Sequence, residues 1–320
     1  MGTIHKQEII NALALSDFTP IYEKANQLTQ ERFGEVVNIR AILEFSNHCR
    51  RQCAYCGLNR NNTDLPRYRM TPREMIETAQ HAADAGYQTL VMQSGEDPYF
   101  TPKLLGDIVK EIKKTGMAIT LSCGERPAED YHYWKACGAD RYLLKHETAD
   151  EALYQSLHPC GTLKSRINCL KTLKSLGYET GSGFMIGLPG QTLSTIADDI
   201  LLLKEIGCDM AGIGPFIPHP KTPLYACPPG SIELAKRAVA LTRLILPACN
   251  LPATTSLGVI GGKAKEDVFF CGANVVMKKV TPDRYKELYE IYPAKLSHTE
   301  IFRERRELEQ QIKALGKSPL

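Results

Sequence analysis

From about residue 36 onward, short β-rich runs alternate with amphipathic helical stretches. That alternation limits the chain to repeated βα units around a parallel sheet. VVNIRAILEFSN reads as the first strand and TLVMQS as the second. MAITLS, RYLLKHET, ETGSGFMIG and MAGIGPF supply four more, and PATTS and GANVVM two short ones. Between the first two lies TPREMIETAQHAADAG, with Thr71 as N-cap, Pro72 first in the helix, Glu74 third, and Gly86 closing it. PKLLGDIVKEIKKTG, PAEDYHYWKACG, LKSRINCLKTLKSLG and LSTIADDILLLKEIG follow the same plan, each stopped by a glycine. Eight strands predict a complete (β/α)8 TIM barrel, the alternative being an incomplete barrel of six units. Residues 1–35 predict a helical N-terminal extension, and residues 36–320 a single barrel domain. HTEIFRERRELEQQIKALGKSPL predicts a charged C-terminal surface helix with a frayed tail.

With 320 residues, 43% of them hydrophobic, the chain can bury a full core. No segment is long and apolar enough to span a bilayer. MGTIHKQEII has no signal-peptide core, and Lys6 stands where myristoylation requires Ser or Thr. The net charge of +3 is spread thinly, so nothing suggests a nucleic-acid footprint. Eleven cysteines in a chain of this length read as reduced thiols and not as a disulfide frame. These features predict a cytoplasmic, monomeric enzyme that uses neither nucleic acid nor membrane.

Three of the cysteines lie together at the end of the first strand, in NHCRRQCAYCGLNR. Cys49, Cys53 and Cys56 have the spacing Cys-x3-Cys-x2-Cys, with no fourth cysteine placed to close the set. A four-iron cluster normally takes four thiolates, so three leave one iron open to a ligand. A zinc knuckle is the alternative, but zinc needs a nearby fourth Cys or His, and His48 is poorly placed to share a metal with its neighbour.

The other unusual residues fall at strand ends, where a barrel of this type builds its site. QSGEDPY follows the second strand and presents Gln93, Ser94 and Glu96, or else is an ordinary capped turn. In TLSCGE, alternation turns Thr120 and Ser122 to one side. In RYLLKHETAD it places Arg141, Leu143, Lys145 and Glu147 on one face. Charges pointing into a barrel must be paired or bound to something, so they form a satisfied ion cluster or a ligand site. Arg166 lies early in the following helix and can match a carboxylate bidentately, or is a surface arginine. GSGFMIGLPGQT offers backbone for close approach to a flat ring and Met185 as a polarizable contact, and is not a P-loop. Four prolines stiffen AGIGPFIPHPKTPL as a cover, with His219 read as a loop residue. Thr254 and Thr255 carry hydroxyls to the seventh strand end.

The cysteine spacing with Tyr55 before the third cysteine resembles the radical S-adenosylmethionine (SAM) superfamily. In order, CRRQCAYCGL, YRMTP, QSGEDPY, LKHET, GLPGQT, GIGPFIPHPKTPL, PATTS and CGANVVM resemble the FeFe-hydrogenase maturase HydE type, related to biotin synthase and 3-methylornithine synthase. The resemblance implies one 4Fe-4S cluster on Cys49, Cys53 and Cys56, whose open iron is chelated by SAM. One electron then cleaves the sulfonium to methionine and a 5′-deoxyadenosyl radical. It implies that Tyr55, Gln93, Ser94, Glu96, Ser122, Glu147, Arg166, Met185 and Ile213 hold the cofactor. Thr120, Arg141, Lys145, Thr254 and Thr255 would hold a small anionic sulfur-containing or organometallic substrate. It also implies a role in assembling the diiron part of the hydrogenase H-cluster, with ferredoxin or flavodoxin as electron donor and other maturases as partners. Two departures stand out. Positions that carry a second cluster in some relatives hold Ser297, Arg305 and Leu308 here, and Lys145 replaces an arginine. Two other functions fit the cysteine motif: an amino-acid mutase or sulfur-inserting enzyme, and a non-enzymatic iron–sulfur scaffold.

Overall fold

The computed structural model describes residues 5–293, 298 and 300–320; Ser297 lies outside them. Eight parallel strands form the barrel: β1 (Val36–Ser46), β2 (Thr89–Ser94), β3 (Ala118–Ser122), β4 (Arg141–Leu143), β5 (Glu179–Ile186), β6 (Met210–Pro215), β7 (Pro252–Ala253) and β8 (Val275–Lys279). They pair in the order β6-β5-β4-β3-β2-β1-β8-β7, and a parallel bridge from Met210 to Asn250, just before β7, nearly closes the ring. The fold is therefore the eight-stranded barrel and not the six-unit one.

Two helices precede the barrel, α1 (Lys6–Leu13) against α8 (Leu193–Ile206) and α2 (Thr19–Phe33) against α9 (Ile232–Ile245). Between strands run α3 (Pro72–Asp84), α4 (Pro102–Lys113), α5 (Ala128–Ala136), α6 (Glu151–Leu157) and α7 (Leu163–Ser175). The predicted start of α3 is present as a capping box: Thr71 Oγ1 accepts from the Glu74 backbone N–H, while Glu74 accepts from the Thr71 N–H at 2.6 Å. Short helices α10 (Thr255–Ile260), α11 (Ala264–Asp267) and α12 (Asp283–Lys286) surround β8, and α13 (Ile301–Ala314) follows. The last residues do not fray: β9 (Ser318–Pro319) pairs with the start of β1, and Lys317 bonds Glu35.

Two strands are shorter than their sequence pattern suggests. RYLLKHET runs as regular strand only through Leu143; Glu147, at φ +66 and outside the β region, rejoins β5 through a single parallel bridge to Phe184. PATTS keeps only Pro252 and Ala253 in the sheet, since Thr254 is already the N-cap of α10.

Inside the ring, alternate residues of each strand line a cavity of about 820 Å³: Arg40, Ile42 and Glu44 of β1, Gly212 and Gly214 of β6, Val275, Met277 and Lys279 of β8. The opposite set, including Leu43, Leu121 and Ile213, packs outward in the core beneath the helices.

Candidate functional site

The loop leaving β1 is built around two side chains that sequence reasoning passed over. Asn47 accepts from the Tyr68 N–H at 2.7 Å and donates to the carbonyls of Pro66 and Leu288. Arg67 donates to four carbonyls, those of Asn47, Leu58, Asn59 and Asn62. A rigid planar fork satisfying four acceptors leaves the intervening loop one shape. Cys49, Cys53 and Cys56, carried on that loop, all line the cavity. Burial pushes all three thiols up, Cys53 to about 12, and the neighbouring sulfurs raise Cys53 and Cys56 further.

Glu96, expected to reach a cofactor ammonium, is largely engaged within the protein. It accepts from Arg51 Nε at 2.5 Å, Arg50 Nε at 3.2 Å and the Glu125 N–H at 2.9 Å. Its own N–H points at Cys49 Sγ, 3.4 Å away. The next residue, Asp97, is buried and takes both Arg69 and the Ser46 hydroxyl. Burial alone would raise its carboxyl, but Arg69 and Ser46 outweigh it and hold Asp97 below the usual aspartate range. Gln93, Ser94, Thr120 and Ser122 all line the cavity, and Thr120 Oγ1 is buried with no partner among the described residues.

In the turn after β4, the strand beside β3, Lys145 and Glu147 line the cavity as an ion pair, Lys145 Nζ lying 3.2 Å from Glu147 Oε2. Arg166 is buried, not at the surface: its Nε donates to Glu125 at 2.8 Å and its Nη1 to the Lys145 carbonyl. Glu125 is a residue the sequence reading missed, although strand alternation had already led to the TLSCGE turn. Tyr55 meets His158 Nε2 at 3.0 Å, and burial together with the Arg166 cation pushes His158 down to about 4, so its ring is neutral near pH 7. Met185 lines the cavity beside them.

Two residues expected in the site lie apart from the cavity lining. Arg141, at the first position of its short strand, pairs with Glu179 at 2.6 Å and with the Thr89 hydroxyl. Ile213 faces outward into the core, and only its carbonyl is used, by Thr254 Oγ1 at 3.3 Å. Thr254 and Thr255 line the cavity. Charged lining residues of β1 also went unread: Arg40, which burial pushes down to about 10, and Glu44, which burial raises although Lys279 lies 2.8 Å away. Since β1 alternates, the spacing Arg40, Ile42, Glu44 was the available signal. His219 is indeed in a loop, with Nε2 buried 3.6 Å from Glu290 and its Nδ1 accepting from the Lys221 N–H.

The donor set fits a cluster of several irons better than one zinc ion. Among the described residues no three Cys, His, Asp or Glu side chains converge as the ligands of one ion would, yet three thiols front one cavity. Half-buried thiols held above the usual thiol range need a cationic partner to deprotonate. Beside them, the Lys145–Glu147 pair and the Thr120 hydroxyl, which has no partner among the described residues, offer polar anchors for a bound molecule.

Residues 43–203 match the model of the Radical SAM superfamily. The chain is 54% identical to the [FeFe] hydrogenase maturase subunit HydE of Thermotoga maritima, over 86% of this chain and 79% of that relative. It is 28% identical to 3-methylornithine synthase of Methanosarcina acetivorans, over 93% of this chain and 85% of that relative. In structure it resembles methylornithine synthase (PylB), with TM-score 0.88 at 23% identity, covering 100% of this chain and 95% of the other.

Proposed function

This chain belongs to the radical SAM superfamily, within the HydE family of FeFe-hydrogenase maturases, and from that premise we propose that it cleaves SAM reductively during assembly of the hydrogenase cofactor. It is an enzyme that uses a 4Fe-4S cluster and SAM. The observation that carries the reading is the meeting of Cys49, Cys53 and Cys56 with Glu147 and Arg166 on the wall of one cavity.

Cys49, Cys53 and Cys56 hold the cluster, which when bound supplies the electron that breaks the sulfonium bond. The protein's own work is placement. Glu147, on the cavity wall beside Lys145, orients the cationic amino group or a ribose hydroxyl of SAM. Arg166, fixed by Glu125, supports the carboxylate end. Gln93, Ser94, Ser122 and Met185 complete the cofactor wall, and the neutral His158 holds the Tyr55 hydroxyl against the loop. Lys145, Thr120, Thr254 and Thr255 face the substrate, an anionic sulfur-containing or organometallic compound. The barrel walls shut solvent away from a radical that would otherwise react with it. A cytoplasmic ferredoxin or flavodoxin serves as electron donor, with other maturases taking the product. The higher identity to the maturase than to 3-methylornithine synthase favours maturation over the mutase reading.

Anaerobic reconstitution with iron and sulfide, followed by dithionite and SAM, should yield methionine with 5′-deoxyadenosine or an adenosylated product. The reconstituted protein should also restore H2 evolution when added to a maturation mixture lacking only its HydE component. Zinc in place of iron with no SAM cleavage would sink the radical chemistry. Cleavage without restored hydrogenase would sink the maturation role alone.

A further inference from the structure

Behind the turn that carries Lys145 and Glu147 lie three polar side chains that the cofactor chemistry does not use. Ser182 of β5, His146 and Asp199 of α8 are fully buried, and none of them lines the cavity. Their types would suit a nucleophile, a base and an acid, but no substrate can reach a serine enclosed in this way. Their contacts converge on the turn instead. Ser182 Oγ accepts from the His146 backbone N–H at 3.2 Å, lies 2.9 Å from His146 Nδ1 and donates to the Leu144 carbonyl at 3.1 Å. Asp199 Oδ1 accepts from the Ala149 N–H at 2.5 Å and lies 3.5 Å from His146 Nε2. One carboxylate therefore touches the chain on both sides of Glu147. Glu147 is the one non-glycine among the described residues with a positive φ, at +66. A glutamate in that conformation is strained and persists only where its surroundings fix it. From the β5 side, its N–H donates to the Gly183 carbonyl and its own carbonyl accepts from the Met185 N–H. The buried trio fixes the turn from behind. Desolvation offsets much of the attraction within such a buried pair, so its consequence lies in the geometry that it enforces.

We propose that Ser182, His146 and Asp199 are positioning residues for SAM: they hold Glu147 in the left-handed conformation that sets its carboxylate on the cavity wall. This rests on the role of Glu147 given under Proposed function, and adds side chains that act only through it. Loosening the trio lets the turn relax toward ordinary backbone, and the carboxylate leaves its place.

SAM affinity of the reconstituted enzyme, measured calorimetrically without reductant, tests this through a double-mutant cycle with Glu147. Asp199→Ala should weaken SAM by roughly tenfold, the scale of losing one hydrogen bond, with iron content unchanged. Asp199→Asn, which keeps an acceptor for the Ala149 N–H, should restore most of that affinity. Glu147→Gln should weaken SAM by itself, and adding Asp199→Ala to it should cost almost nothing more, because the effect passes through Glu147. Should Asp199→Ala fail to fold, Ser182→Ala, which removes the other anchor of His146, enters the same cycle with the same expectation. Parent-like affinity in the alanine variant, or losses that multiply in the double variant as a purely structural role requires, overturns the proposal. A loss in Glu147→Gln without one in the alanine variant strikes this proposal alone. Parent-like binding in Glu147→Gln removes the role of Glu147 itself, and this proposal with it.

Discussion

Arg166 and Glu125 meet at 2.8 Å, both buried, one on α7 and the other in the turn after β3. The pair ties two neighbouring βα units together and aims the guanidinium at the cavity, while its Nη1 takes the Lys145 carbonyl. A candidate cofactor arginine is thus fixed by a carboxylate that itself has no place in the proposed cofactor contacts.

Removing that carboxylate should be costly. Glu125→Ala strands a buried cation, which typically destabilises by about 3–5 kcal/mol, and should also weaken SAM binding. Burial alone would raise the Glu125 carboxyl, but Arg166, Ser165 and Arg51 outweigh it and hold it below the usual glutamate range. The stability it contributes is therefore fully present above the ordinary value of about 4.3 and fades as pH falls through the lowered folded value. Thermal melting of the parent and Glu125→Gln across pH should show a gap at pH 7 that closes in acid; a gap independent of pH would refute this.

Each of Cys49→Ala, Cys53→Ala and Cys56→Ala should drop the iron content from about four per chain to near none after reconstitution, with loss of SAM cleavage. Iron analysis and the visible absorption of the cluster decide the point. Retention of full iron by any one variant would remove that cysteine from the set.

Asp97 should prove to be a scaffold residue and Glu147 a cofactor residue. Asp97→Ala leaves the Ser46 hydroxyl and the Arg69 guanidinium without their acceptor, a loss of about 1–3 kcal/mol, read as a lowered melting temperature. SAM affinity should follow stability only weakly there. Glu147→Ala should do the reverse, keeping iron and melting temperature while SAM binding falls. Equal loss of SAM binding in the two variants would contradict the division.

Lys145→Met should raise the KM for substrate by roughly tenfold or more, as expected for a charged contact in a closed cavity. Arg141→Met, whose parent side chain is spent on Glu179 and Thr89, should leave KM near its starting value. Steady-state kinetics of the two variants test the placement, and a larger KM effect at Arg141 would show that the substrate reaches the floor of the barrel.

Local rules were enough to read the barrel, the cysteine loop and the start of α3 from sequence. Strand alternation, helix caps and Cys-x3-Cys-x2-Cys are each written within a few residues, and most elements obeyed their own pattern, the shortened β4 and β7 and the ordered C-terminal residues excepted. What lay beyond reach were relations between residues far apart along the chain. Arg166 reads as an ordinary helix residue until Glu125 is brought 2.8 Å away from another βα unit. Glu96 looks like a free acid until Arg50 and Arg51 fold onto it. Alternation put Arg141 on the face of Lys145, but Glu179 and Thr89 hold it at the strand's start, and Glu147 leaves the strand to pair with Phe184. Closing the ring decides which charges meet. A charge in a dry interior is defined by its partner, and that partner is chosen by tertiary contact and not by spacing along the chain.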